Sequence, residues 1–159
     1  NKVTIYKRPK PAHKLKFTFP EDTRAVMGHT RLTTQGNQKY NWNNHPFMGH
    51  FSDSRFALAH NGVLYNDEWL RKSEKLPDTK IKTDSFIAVQ LIEKKKILNS
   101  ESIKFMSEKI NGSFAFSILD SNNTLWLVRG DSPLSLIHIP KYKLYVYDNT
   151  FHFFILPFL

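Results

Sequence analysis

After Ile110 the hydrophobic period of this chain changes, and that change limits the folds open to it. Upstream, Phe86, Ile87, Val89, Leu91 and Ile92 are dense enough to read as one core-facing helix from about Asp84 to Lys95. Ser100 to Ile110 reads as another, with Ser100 or Ser102 as cap and Ile103, Phe105, Met106 and Ile110 turned inward. Downstream, the segments Ser113 to Leu119, Thr124 to Val128, Leu134 to Ile139 and Leu144 to Tyr147 read as four consecutive strands. Asp120-Ser121-Asn122-Asn123 and Pro140-Lys141-Tyr142-Lys143 supply the hairpin turns between them. Helices followed by a meander of strands predict an α+β layered domain, not a parallel doubly wound one.

Before the helices the expected pattern is strand and loop. Val3-Thr4-Ile5-Tyr6 reads as a short strand, and Arg24-Ala25-Val26-Met27 as a buried one that delivers Gly28-His29-Thr30-Arg31 at its end. Thr33 to Asn44 is polar and loop-like. Phe56-Ala57-Leu58-Ala59-His60 reads as an apolar strand stopped by Asn61-Gly62, and Asn66-Asp67 as the cap of a short helix through Lys72. With 159 residues and 40% hydrophobic residues, the chain is expected to form a single domain over 1–159 with a real core. The uncharged stretch Phe151 to Leu159 stands apart. It reads either as a segment docked on the core or as aberrant sequence following a truncation, over 149–159.

Composition removes several classes. Zero cysteines exclude a disulfide scaffold and a thiolate zinc site. No run approaches the ~20 apolar residues that span a bilayer, and the basic, Pro-broken start lacks the apolar core of a secretory signal, so no membrane partner is expected and the cytoplasm is the default location. Seven histidines are present without an H-x-x-x-H or H-E-x-x-H pair, so no metal is expected. There is no G-x-S-x-G elbow, P-loop or G-x-G-x-x-G, and no cofactor is expected. The net charge of +9 is spread over short clusters at Lys7 to Lys16 and Lys94 to Lys96. It leaves nucleic acid as a partner class ranked below the readings that follow, with a steep salt dependence as its signature.

Four groups could carry chemistry. Arg31, just past an expected strand, offers a guanidinium that can take a carboxylate bidentately, or can pair with any surface acid. Asp84, at a helix start, can accept hydrogen bonds from an ammonium, or simply cap its helix. Asn61-Gly62 is by itself a hairpin signal. Its other reading is a pair of N–H donors aimed at a developing oxyanion, with Gly allowing close approach. His45, biased toward extended geometry by Pro46, reads as a wall residue or a satisfied loop histidine. A guanidinium, a carboxylate and an amide pair together fit an amino-acid zwitterion bearing an amide.

The order of these segments resembles the class II glutamine amidotransferase domain of the N-terminal-nucleophile hydrolases. The resemblance runs from about Val26 to about Pro133. It rests on Gly28-His29-Thr30-Arg31 with Thr34 and Gly36, Asn44-His45-Pro46-Phe47, His60-Asn61-Gly62-Val63 with Asn66, Thr83-Asp84, Gly112-Ser113-Phe114-Ala115-Phe116 and Arg129-Gly130-Asp131-Ser132-Pro133. It implies a four-layer αββα sandwich. It also implies that Arg31 takes the carboxylate of L-glutamine, Asp84 its ammonium, Asn61 and Gly62 the oxyanion, and that Thr34 and His45 line the pocket. Leu32 and Gln35 depart from the tryptophan and histidine often found in the sugar-phosphate synthase branch.

The resemblance further implies hydrolysis of the glutamine side-chain amide to glutamate and ammonia by an N-terminal cysteine, for an acceptor on a separate synthase or partner protein. This chain opens at Asn1, in what resembles a later segment of the family, so the opening strand, the nucleophile and the following helix are expected to be absent from these 159 residues. The alternative reading is a catalytically inactive, amidotransferase-like binding module.

Overall fold

Phe56, Ala57, Leu58 and Ala59 are all buried in a row, which requires a strand covered on both faces at the centre of the molecule. The computed structural model describes residues 2–31, 35–52 and 54–149. Within them β1 (Phe47–Phe51), β2 (Ser54–Leu64), β3 (Gly112–Asp120) and β4 (Leu125–Arg129) form one antiparallel sheet in that spatial order. The long β2–β3 ladder runs from Phe56 opposite Asp120 to Leu64 opposite Gly112. A second, two-stranded antiparallel sheet is built from β5 (Ser135–Ile139) and β6 (Leu144–Asp148).

Three helices lie between β2 and β3 in the chain: α1 (Asp67–Ser73), α2 (Phe86–Lys94) and α3 (Ser100–Lys109). The middle one is buried almost all round, from Ile87 to Ile92, and packs against β1 and α3. Ile87, Leu91 and Ile92 meet Phe47, Phe56, Leu58, Phe116 and Met106 in one core. Each such side chain contributes about 1.5–3 kcal/mol by leaving water. Burial of α2 on all sides fixes its N-terminus in space, and that is where Asp84 and Ser85 sit. Outside the core, Glu74 ties the helices together, pairing with Lys94 of α2 at 2.6 Å and Lys109 of α3 at 2.8 Å. The fold is α+β.

Several local expectations are corrected. Val3-Tyr6 and Arg24-Met27 form no strand, because neither finds a ladder partner among the described residues; Val26 is 51% exposed. Asn61-Gly62 is no turn. The strand passes through it, with Asn61 opposite Ala115 and Gly62 opposite Phe114. The four late strands do not make one meander, since among the described residues the last two pair only with each other. α3 is capped by Asn99, not by Ser100 or Ser102: Asn99 Oδ1 accepts from Ser102 N at 2.9 Å while Ser102 Oγ accepts from Asn99 N at 3.0 Å. Asn66 does precede α1, but its side chain reaches Lys109 O and Asn111 N across the fold. The apolar stretch 150–159 lies outside the described residues.

Candidate active site

The end of β2, the segment ahead of α2, and two loops meet around a cavity of about 240 Å³. Its wall includes Arg31, His45, Asn61, Gly62 and Asp84, five of the six residues singled out from the sequence. The sixth, Thr34, lies outside the described residues.

Each of the five is held by a specific contact. Asp84 is 3% exposed, and its Oδ2 accepts from Leu64 N at 2.7 Å, which ties the head of α2 to the end of β2. Arg31 donates to Asn44 Oδ1 at 3.1 Å and to the main-chain oxygens of Gln35 and Gly36. Gly36 lies at φ +72, and a Cβ there would stand 2.7 Å from Lys82 O, so the loop that receives Arg31 is pressed onto the chain leading to Asp84. Burial lowers the Arg31 pKa and the negative charge of Asp84 raises it. The two opposite charges therefore line one cavity and feel each other.

Gly62 is in a conformation that L side chains rarely adopt, φ +139. A Cβ there would lie 2.0 Å from Ser113 O and 2.9 Å from His60 Nε2, so the β2–β3 ladder admits only glycine. The Asn61 side chain is tied to a residue outside the cavity lining: Nδ2 donates to Asn149 O at 2.8 Å.

Three imidazoles complete the wall. His29 Nε2 donates to His60 O at 2.9 Å, and His45 Nδ1 lies 3.0 Å from the nearer His29 ring nitrogen. Burial depresses all three, reinforced for His45 by the positive potential of His29, His60, Arg31 and Lys7. His45 falls to about 2 and His60 to about 4. They are neutral at physiological pH. His45 Nε2 and Thr83 Oγ1 are buried and find no hydrogen-bond partner among the described residues, leaving polar atoms in the wall open to a ligand.

His29, His60 and Ser85 also line the cavity, although nothing in the sequence alone gives them a role. The available signal was position: each directly adjoins or closely precedes a residue already singled out. The basic clusters are partly engaged inside the fold. Lys7 donates to Asn44 O and Pro46 O at 2.8 and 3.1 Å, burial lowers it to about 8, and Lys95 lies over the Phe105 ring. No described helix is long and apolar enough to cross a membrane.

A family profile for a glutamine amidotransferase domain matches residues 29–146. The chain is 34% identical over 121 residues to glutamine–fructose-6-phosphate aminotransferase (isomerizing) of Staphylococcus epidermidis, covering 72% of this chain and 20% of that one. It is 38% identical over 117 residues to the enzyme of the same name from Lactococcus lactis, covering 69% and 19%. The chain thus spans about a fifth of the length of these curated relatives. Among solved structures it is similar to the B. subtilis glutamine phosphoribosylpyrophosphate amidotransferase complexed with ADP and GMP, at TM-score 0.54 and 25% identity over 68% of this chain and 24% of that one. A structure of the allosteric regulatory enzyme of purine biosynthesis shares the fold at TM-score 0.53, with 24% identity over 61% of this chain and 22% of that one. The chain belongs to the class II glutamine amidotransferase family, with the N-terminal-nucleophile hydrolase fold.

Proposed function

We propose that the cavity binds L-glutamine and that the domain releases ammonia from its side-chain amide for an acceptor on a synthase domain or partner. Arg31 exchanges its contacts to Asn44 Oδ1 and the 35–36 loop for the α-carboxylate, and Asp84 takes the α-ammonium. The carbonyl of the scissile amide then lies toward β2. As a thiolate adds to it, Asn61 Nδ2 and the Gly62 N–H receive the developing negative charge. Collapse of the tetrahedral species expels ammonia, and water cleaves the glutamyl thioester to glutamate. His45 stands in the cavity wall, and the family resemblance assigns Thr34 to glutamine binding as well. The thiol is not among these 159 residues, which contain no cysteine.

The observation that supports this reading best is the convergence of Arg31, Asp84, Asn61 and Gly62 on one cavity. The test is release of glutamate and ammonia from glutamine by the natural full-length protein. No release from a protein with an intact nucleophile would reject it.

The second reading, a module that binds glutamine without hydrolysing it, draws on a specific contact: the Asn61 amide already has an acceptor in Asn149 O. Glutamine binding by calorimetry with no ammonia release favours it. Nucleic acid remains a lesser partner proposal. It rests on the +9 charge alone and is discarded if no oligonucleotide binds at ~50 mM salt.

A further inference from the structure

Ser85 stands between Asp84, to which the proposed reaction assigns work, and His60, to which it assigns none. Its Oγ lies 2.8 Å from His60 Nδ1 and 3.5 Å from Asp84 Oδ1. On the far side of the imidazole, Nε2 lies 3.3 Å from the main-chain oxygen of Ser113 on β3. A carbonyl oxygen only accepts, so in a neutral ring the proton sits on Nε2. Nδ1 is then a bare acceptor, and the Ser85 hydroxyl donates into it. The bonds therefore run in one direction, from Ser85 to His60 to Ser113.

This bridge is buried, with Ser85 4% and His60 2% exposed. Its first residue directly follows Asp84. Its far end is the strand crossing at Gly62, where both Ser113 O and His60 Nε2 crowd the position of a Cβ. With its single proton given to Nδ1, Ser85 leaves the 3.5 Å contact to Asp84 Oδ1 unbonded, so the chain starts beside the negative anchor at the head of α2 and ends on the backbone that carries the two amide donors.

We propose that Ser85 is a positioning residue: through a neutral His60 locked as its Nε2–H tautomer, it holds Asp84 at a fixed distance from the donors of Asn61 and Gly62. The inference rests on the glutamine reading above for its kinetic consequence, though not for its geometry. The groups that face the ring are Asp84 and the Ser113 carbonyl, which favour a proton on it, and His29, which opposes one, with the His45 ring 6.4 Å away; burial, the largest cause, outweighs the first two and keeps it neutral. Removing the Ser85 hydroxyl leaves Nδ1 without a donor. The ring can then exchange tautomers toward Asp84 and let go of Ser113. Substrate still binds at Arg31, but its carbonyl no longer meets both donors at once.

The first measurement needs no substrate. Imidazole nitrogen NMR of the full chain labelled with 15N-histidine should show His60 as the Nε2–H tautomer at pH 7, without protonation down to about pH 5. An Nδ1–H tautomer, or titration near the ordinary histidine midpoint, overturns the proposal. The second uses glutamine turnover by the full-length protein. Ser85→Ala should lower kcat by about 10- to 100-fold, the scale of a small misplacement, with KM within about threefold. Ser85→Thr, which keeps the hydroxyl, should recover most of the loss. Unchanged kcat in Ser85→Ala overturns the proposal. So does a Thr variant as slow as the Ala variant while its spectrum keeps the Nε2–H tautomer. Absence of turnover in the unsubstituted protein would count against the glutamine reading, while the tautomer still decides the positioning claim.

Discussion

Asn61 Nδ2 donates to the main-chain oxygen of Asn149 at 2.8 Å, so the residue directly after β6 sits on the amide that the proposed chemistry needs. Resting Asn61 is paired and aimed by backbone. A substrate carbonyl has to replace that oxygen, and the exchange of one hydrogen bond for another is close to neutral in free energy. The replacement is favourable only when the incoming oxygen carries charge, which is the condition met in the transition state.

Asn61→Ala should therefore act on turnover. In the full-length protein kcat for glutamine should fall by about 10²–10³, while KM changes little. The Asn149 contact adds a structural cost of about 1 kcal/mol, visible in denaturant unfolding. A variant that keeps its kcat would show that the amide serves only to hold the segment after β6.

Arg31 has three oxygen partners in the resting state, from Asn44, Gln35 and Gly36. A lysine keeps the charge but lacks the planar fork, so it cannot hold a carboxylate and the loop oxygens with one group. Arg31→Ala should raise the KM for glutamine by about 100-fold, as expected for loss of charge-assisted hydrogen bonds worth about 3 kcal/mol. Arg31→Lys should fall between the two. Steady-state kinetics checks this, and an unchanged KM in the alanine variant refutes the assignment.

Asp84 has two tasks that one substitution separates. Its Oδ2 receives the Leu64 N–H, which an amide oxygen can also receive, whereas only the charge attracts an ammonium. Asp84→Asn should leave the melting temperature near that of the unsubstituted protein while weakening glutamine binding by about tenfold or more. Asp84→Ala should lower both, because it also strands the buried Leu64 amide. Equal glutamine affinity in Asp84→Asn, measured by calorimetry, would remove Asp84 from the ligand site.

The sequence carried the site further than it carried the local backbone. Arg31, His45, Asn61, Gly62 and Asp84 were legible because each belongs to a short segment whose chemistry is independent of its exact conformation. Asn61-Gly62 was misread as a turn for a physical reason. The hairpin signal is local, whereas the ladder that keeps β2 extended comes from Ala115 and Phe114, more than fifty residues on. The segment Arg24 to Met27 reads as a strand through Ala25, Val26 and Met27, but composition supplies no ladder partner. β1 was not foreseen at all, since Gly49 interrupts its pattern. That glycine is required because a Cβ there would enter the Phe56 ring on the neighbouring strand, at 2.2 Å. His60 and Ser85 were invisible as a pair, as only the packing of α2 beside β2 brings them together.

The three neutral imidazoles of the wall predict how stability depends on pH. His29, His45 and His60 all have pKa values below the ordinary 6.5, with burial as the largest cause. Above that value both folded and unfolded chains hold these rings neutral, and the shift contributes nothing. As pH falls below 6.5 the unfolded chain takes up protons that the folded one refuses until about 4 for His60 and about 2 for His45. Stability is thus lost on acidification, by up to about 1.4 kcal/mol per pH unit for each such histidine. Urea unfolding at pH 7.5 and pH 5 should show a midpoint markedly lower at pH 5. His45→Gln should flatten the slope by about one proton's worth, since it removes one refused proton. An equal midpoint at both pH values would mean that these rings are solvated and charged, and would count against a closed, preformed cavity.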